Sequence, residues 1–157
     1  MTGVRHGART VMKWFAALYV VLIVVQVFLA GEGIFGLNNI KHSDDCNKGV
    51  AHCVANSKTL DAHRGLGFFL TMPGALLFLI VALLAWHPTT RVRVVSIVLP
   101  FLAFFQMILA GLGRWASGLH PVNAILLLGL FGWLAYTLRQ EQPQEAVETA
   151  PALSPTG

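Results

Sequence analysis

Charged residues are scarce in this sequence. Lys, Arg, Asp and Glu make up 11% of the 157 residues, whereas 55% are hydrophobic, and this balance excludes a soluble globular domain. Only seven residues are acidic, and the net charge of +4 comes from basic residues that flank apolar segments. The charge therefore does not indicate a nucleic-acid partner, and the sequence predicts a membrane protein whose surroundings are the lipid bilayer.

Cysteine is equally rare, with two residues in the whole chain, Cys46 and Cys53. A quinone-linked thiol oxidoreductase normally needs two communicating cysteine pairs, so the single pair makes this class the weaker alternative. A zinc site built from Cys46, His52 and Cys53 would lack a fourth ligand. The two cysteines can form a structural disulfide or a redox-active pair, and both alternatives remain open.

Four apolar runs are long enough to cross a hydrocarbon core of about 30 Å, which takes roughly 20 helical residues. They cover residues 14–31, 63–86, 94–113 and 121–138. We expect an all-α, integral membrane four-helix bundle in residues 1–139, with the cysteines in a long loop at 35–62. Residues 140–157 are rich in Glu, Pro, Gln and Ala and are expected to form a disordered tail.

The distribution of basic residues predicts that both termini face the cytoplasm. The short segment "HPTTRVR" at 87–93 has two arginines and no acidic residue, whereas the 35–62 loop offsets its lysines with Asp44 and Asp45. A cysteine pair is also most useful in an oxidising compartment. We therefore expect the cysteine loop on the outer face and the tail in the cytoplasm.

One short phrase occurs twice, as "QVFLAGEG" at 26–33 and "QMILAGLG" at 106–113. Each copy ends the first helix of a predicted hairpin, so the chain reads as two parallel repeats related by a pseudo-twofold axis along the membrane normal. Small residues near a helix end also allow close helix packing, which is the simpler interpretation of the phrase. Gln26 and Gln106 are expected to need polar partners and could bond to each other.

A histidine opens the second helix of each repeat: His63 in "DAHRGLG" and His120 in "GLHPVNA". Two imidazoles at one depth on diagonal helices suit the two axial positions of a low-spin heme iron. Gly67 would leave room for a flat ring, and Arg64 and Arg114 would bind the heme propionates. A histidine at a membrane boundary can also simply extend toward water.

The order of these motifs resembles the heme A synthase family. It comprises a glycine-rich end of the first helix, a spaced cysteine pair in an external loop, "HR" at 63–64, "QMILAGLG" at 106–113 and "LHPVNA" at 119–124. Members commonly have eight helices in two four-helix halves, and this chain resembles one half. The resemblance implies a heme b protein of a bacterial plasma membrane, with heme O or heme A as substrate or product. It also implies a homo-oligomer or an assembly with a respiratory oxidase as partner.

The family's glutamate before the first histidine has no counterpart at the same offset, so oxidoreductase activity of the synthase type stays open. Asp61 is a catalytic candidate in its place, and a non-catalytic accessory subunit is the main alternative. Glu32 is a second catalytic candidate, since an acid inside a membrane segment marks function by default; pairing with Arg114 is its structural alternative. His6, His42 and His87 lie outside the repeats and are expected in solvent.

Overall fold

The chain forms four long helices in a computed structural model that describes residues 2–40, 58–112 and 118–148. The helices are α1 (Thr2–Ile40), α2 (Asp61–Ala85), α3 (Thr90–Gly111) and α4 (Leu119–Glu148). A 3-10 turn at Lys58–Leu60 precedes α2, and every element in the described ranges is helical. Each of the four helices is long and apolar enough to cross a membrane. The predicted all-α architecture with four such helices is confirmed.

Two of the helices extend beyond the predicted spans. α1 continues to Ile40, inside the segment predicted as the 35–62 loop, and α4 continues to Glu148, inside the segment predicted as a disordered tail. The difference arises because hydropathy marks only the part of a helix that lies in hydrocarbon. The Gln, Glu and Ala residues of 140–148 are good helix formers, so the helix does not end where the apolar run ends.

The helices form a ring in which each packs against two neighbours. α1 packs against α2 and α4, and α3 packs against the same two helices, so α2 and α4 are diagonally opposite. Large apolar side chains fill the centre, and apolar side chains also cover the outward faces, as expected for helices surrounded by lipid. The most completely buried large side chains are Met12, Phe78, Val92, Leu99, Phe131 and Leu134.

An aromatic layer crosses the middle of the bundle. Tyr19 stacks on Phe131 with ring centroids 4.4 Å apart, and Phe131 meets the edge of Phe78 at 5.2 Å. Phe15 stacks on Phe78 at 5.6 Å. These four rings come from α1, α2 and α4, so the layer holds three helices together.

α2 contains one irregular turn around Pro73. Residues Leu70–Gly74 form a π-helical turn, whereas α3 remains α-helical through Pro100. Proline has no N–H, and the wide turn redirects backbone carbonyls that other groups then satisfy. The Tyr19 hydroxyl donates to the Leu70 carbonyl oxygen at 2.9 Å. A Cβ at Gly74 would lie 2.6 Å from the Tyr19 hydroxyl oxygen, so this contact requires glycine.

Basic side chains gather where α1 and α3 begin and α2 and α4 end, a region we call the basic end. Its members are Arg5, Arg9, Lys13, Arg91, Arg93 and Arg139. Arg9 Nε donates to the Ala85 carbonyl oxygen at 3.4 Å near the end of α2. Arg93 lies over the Trp86 ring at 5.0 Å, and Arg139 lies over the Trp14 ring at 5.9 Å. The cations thus cover apolar rings as well as facing outward.

The expectation that His87 lies in solvent is wrong, because its side chain is buried. The Thr89 backbone N–H donates to His87 Nδ1 at 3.2 Å, and His87 Nε2 lies 2.7 Å from Glu141 Oε2. A nitrogen that accepts a hydrogen bond carries no proton, so His87 is neutral with its hydrogen on Nε2. The error follows from the helical extension of α4, which places Glu141 beside a loop that looked exposed in the sequence.

We predict that Gly74→Ala lowers the free energy of unfolding by roughly 1–3 kcal/mol, because the new methyl group must displace Tyr19 and the Phe69 carbonyl. Gly129 in α4 is the matched control, since a Cβ there meets no atom within 4 Å. Gly129→Ala should leave stability unchanged or raise it by up to about 1 kcal/mol. Thermal unfolding in detergent measures both, and equal Tm values for the two variants would contradict the proposed contact.

Candidate functional site

Two glutamine–histidine pairs join neighbouring helices at the end of the bundle opposite the basic end. Gln26 Nε2 donates to the His63 carbonyl oxygen at 2.7 Å, and His63 Nδ1 lies 3.1 Å from the Gln26 carbonyl oxygen. Gln106 and His120 make the same two contacts, at 2.9 Å and 3.1 Å. The first pair links α1 to α2 and the second links α3 to α4. The alternative that the two glutamines bond to each other is therefore wrong.

These contacts define the protonation of both imidazoles. A backbone carbonyl oxygen only accepts hydrogen bonds, so Nδ1 must be the donor in His63 and in His120. In the neutral ring Nε2 then has no hydrogen and keeps its lone pair. A metal-ligating imidazole has this arrangement, with one nitrogen held by a carbonyl and the other free to bind the metal.

The two imidazole rings face each other across the bundle. Their centroids are 6.4 Å apart and their planes are inclined by 67°. Two nitrogen–metal bonds of about 2 Å, plus about 1 Å from each nitrogen to its ring centre, give roughly 6 Å. The inclination is compatible with shared ligation because each ring can rotate about its own metal–nitrogen bond. His63 and His120 are thus spaced as two ligands of one metal centre.

A cavity of about 400 Å³ surrounds the rings. Its wall is mainly apolar, and the two glutamines, the two histidines and Arg64 supply most of its polar groups. A largely apolar cavity with a few convergent polar groups is the usual form of a small-molecule or cofactor site. Among the apolar residues in the wall are Ile23, Phe68, Ala103, Met107, Leu127 and Phe131.

The protein donor set at this cavity is small. Within the described ranges, no group of three or more His, Cys, Asp or Glu residues is close enough to hold a metal ion. Structural and catalytic sites for bare Zn²⁺ or similar ions use at least three protein ligands. Two imidazoles are sufficient only for a metal that already brings most of its ligands.

The other predicted site residues have separate positions. Arg64 lines the cavity, and its Nη1 lies 3.5 Å from Asp61 Oδ1 in an exposed ion pair. Asp61 itself and Glu32 are exposed and are not part of the cavity wall. Arg114 lies outside the described residues, as do Cys46 and Cys53. Neither the Glu32–Arg114 pairing nor the disulfide is therefore tested.

Gly67 has a specific steric role. A Cβ at this position would lie 2.7 Å from Gln26 Nε2, a separation that real Cβ atoms do not tolerate. Gly67 also lines the cavity. The glycine thus allows the Gln26 amide to reach the backbone of α2, in addition to any space that it leaves for a ligand.

Asn123 is a site residue that sequence reasoning missed. It is 7% exposed, and its Nδ2 donates to Gln106 Oε1 at 2.7 Å and to the Leu102 carbonyl oxygen at 3.0 Å. The corresponding position in α2, three residues after the histidine, is Leu66, which has no donor. The side-chain oxygen of Gln26 is buried and accepts no hydrogen bond from the described residues. The two halves of the site therefore share their histidine contacts but differ in the support of the glutamine.

No protein-family model, curated protein or solved structure matches this chain. The resemblance to heme A synthases therefore stays a prediction that depends on the sequence motifs. The site has to be interpreted from its own geometry.

We predict that His87 has the opposite tautomer to His63 and His120 in the ligand-free protein. His63 and His120 should carry hydrogen on Nδ1, whereas His87 should carry it on Nε2, because the atoms facing Nδ1 are acceptors in the first two cases and a donor in the third. Long-range ¹H–¹⁵N NMR of imidazole-labelled protein in detergent, at a pH where the rings are neutral, measures this directly. An Nε2–H signal from His63 or His120 would contradict the assigned contacts.

Proposed function

We propose that this protein binds heme b in the membrane through His63 and His120 and acts in electron transfer or heme modification. The observation that carries the proposal is the pair of opposed imidazoles, 6.4 Å apart, each with Nδ1 held by a carbonyl. Heme iron already has four porphyrin nitrogens, so two protein nitrogens complete its coordination. Among the described residues, no His, Cys, Asp or Glu joins the two histidines to form a group of three, and heme does not require one.

The surroundings of the two rings support the same proposal. The apolar wall would exclude water and competing ligands from the iron. Arg64 at the edge of the cavity would bind a propionate, which is an anion. When bound, heme would supply one-electron redox chemistry, while the chain supplies orientation through Gln26 and Gln106.

Ligation by two histidines favours electron transfer, since both axial positions are then filled by the protein. Heme modification, with heme O or heme A as substrate or product, is the second candidate and is favoured by the unequal support of the two glutamines. Neither Glu32 nor Asp61 is assigned a catalytic step, because neither lines the cavity.

A non-catalytic role as an assembly or accessory subunit is supported by a different observation. Each histidine ties two helices together through Nδ1 and its backbone oxygen, which is a structural task by itself. This role explains the Nδ1 contacts but gives no reason for both imidazoles to line one apolar cavity. Bound pigment distinguishes the two proposals.

We also propose that the bundle consists of two parallel repeats with both termini in the cytoplasm. The identical contacts in the two glutamine–histidine pairs support the repeat, and the six cations of the basic end support the orientation. On this orientation the heme site lies toward the outer leaflet, in a bacterial plasma membrane. A second copy of the chain or a respiratory oxidase is the proposed partner.

We predict that protein purified from heme-replete cells is red and contains one heme b per chain. His63→Ala and His120→Ala should each reduce the heme content at least about tenfold, because loss of a group that only hydrogen-bonds to a ligand already costs about 10- to 100-fold in metal affinity, and these residues are the proposed ligands themselves. His6→Ala is the matched control, since His6 is an exposed histidine near the N-terminus. The pyridine hemochrome assay and the Soret absorbance measure the content.

Helix content by circular dichroism should stay constant in all three variants, which separates loss of heme from loss of fold. A colourless wild-type protein, or alanine variants that both keep the wild-type heme content, would contradict heme ligation by this pair. A colourless but folded protein that purifies with a respiratory oxidase would instead favour the accessory role.

We predict that a membrane-impermeant maleimide, added to intact spheroplasts, labels Cys46 and Cys53, because the loop between α1 and α2 is on the outer face. Labelling only after treatment with a reductant would indicate a disulfide, and labelling without it would indicate free thiols. If labelling requires permeabilised membranes, the orientation is the reverse of the one proposed.

A further inference from the structure

The two halves of the histidine site differ in the hydrogen bonds that support their glutamines. Gln106 holds His120 and is itself held by Asn123 through a 2.7 Å hydrogen bond. Gln26 holds His63, but its side-chain oxygen accepts nothing from the described residues, because Leu66 stands where α4 has asparagine. One imidazole therefore belongs to a connected polar network, and the other depends on a glutamine with an unused acceptor.

The start of α2, which carries His63, is also less buried than the start of α4, which carries His120. The segment of α2 that carries His63, Asp61–Phe69, has no buried residue, and the π-helical turn Leu70–Gly74 follows it immediately. In the equivalent segment of α4, residues 118–126, Asn123 is buried, and the leucine that follows each segment, Leu70 or Leu127, is buried in both helices. Local opening requires least free energy where few side chains are buried and the backbone ladder is irregular.

We infer that the His63 side of the site is built to open while the His120 side stays fixed, so that His63 is the exchangeable axial ligand. The inference rests on the proposed heme function and deepens it, since it assigns different roles to two residues that look equivalent in the sequence. The segment Asp61–Phe69 would move relative to the π-helical turn, and His120 would remain in its network with Gln106 and Asn123.

With heme bound, opening of the His63 side would exchange one neutral ligand for another without any transfer of electrons. His63 would leave as the neutral ring with its hydrogen still on Nδ1, and a neutral diatomic ligand, for which carbon monoxide is the probe, would take its place. His120 would continue to hold the heme through Nε2.

Leu66→Asn tests this inference by giving the His63 side the missing donor. The new amide would face Gln26 Oε1 and the Leu22 carbonyl, as Asn123 faces Gln106 Oε1 and the Leu102 carbonyl. We expect carbon monoxide to bind the dithionite-reduced wild-type protein, and Leu66→Asn to slow its association by about threefold to tenfold, the factor that one added hydrogen bond supplies. Leu66→Met has similar volume but no donor, so it should retain the wild-type rate.

Asn123→Leu makes the reciprocal change and should raise the association rate, because it removes the support of Gln106. Stopped-flow or flash photolysis measures these rates. Equal association rates in wild type, Leu66→Asn and Leu66→Met would overturn the inference. It would also be overturned if the wild-type protein does not bind carbon monoxide and Asn123→Leu does.

The ligand-free protein gives a second measurement that does not need heme. The Nδ1–H of His63 should exchange with solvent at least about threefold faster than that of His120, and Leu66→Asn should remove the difference. If the Nδ1–H groups of His63 and His120 exchange at equal rates in the wild type, the inferred difference in support is wrong even if the protein is red. If the protein is colourless but His63 still exchanges faster, the proposed heme function is wrong. The opening of the His63 side would nevertheless be supported.

Discussion

The contact on which the rest of the site depends is the reciprocal hydrogen bonding between a glutamine and a histidine on neighbouring helices. In each pair the glutamine amide donates to the histidine backbone, and the histidine Nδ1–H donates to the glutamine backbone. One contact ties the helices together and the other defines the tautomer. Because both pairs make the same contacts, both Nε2 atoms keep a lone pair, and two ordinary polar contacts create a pair of potential metal ligands.

The arrangement of the helices places the residues of these contacts close together. The helices form a ring, so the two histidine-bearing helices are diagonal and their imidazoles meet across the centre. Gly67 removes the Cβ that would block the Gln26 amide. At the opposite end, Arg9 bonds to the Ala85 carbonyl oxygen near the end of α2, and His87 with Glu141 joins the α2–α3 loop to α4. Each end of the bundle thus has its own polar connections, separated by an apolar middle.

Apolar runs were sufficient to predict the four helices. The repeated phrase and the histidine that opens the second helix of each hairpin drew attention to residues that the structure places around one cavity. The hydrogen bonds were less accessible, because they depend on helix register and rotamers rather than on composition. His87 was misplaced because its partner Glu141 lies in a segment that appeared disordered. The difference between Leu66 and Asn123 was visible in the sequence, but it gained meaning only when the structure showed that Asn123 donates to the Gln106 oxygen, whereas the Gln26 oxygen has no partner among the described residues.

The aromatic layer of Phe15, Tyr19, Phe78 and Phe131 separates the two polar ends of the bundle. It lies directly beneath the cavity, and Tyr19 and Phe131 belong to both. Because stacked aromatic rings pack without room for water, we expect the cavity to take up and release protons at the end of the bundle opposite the basic end.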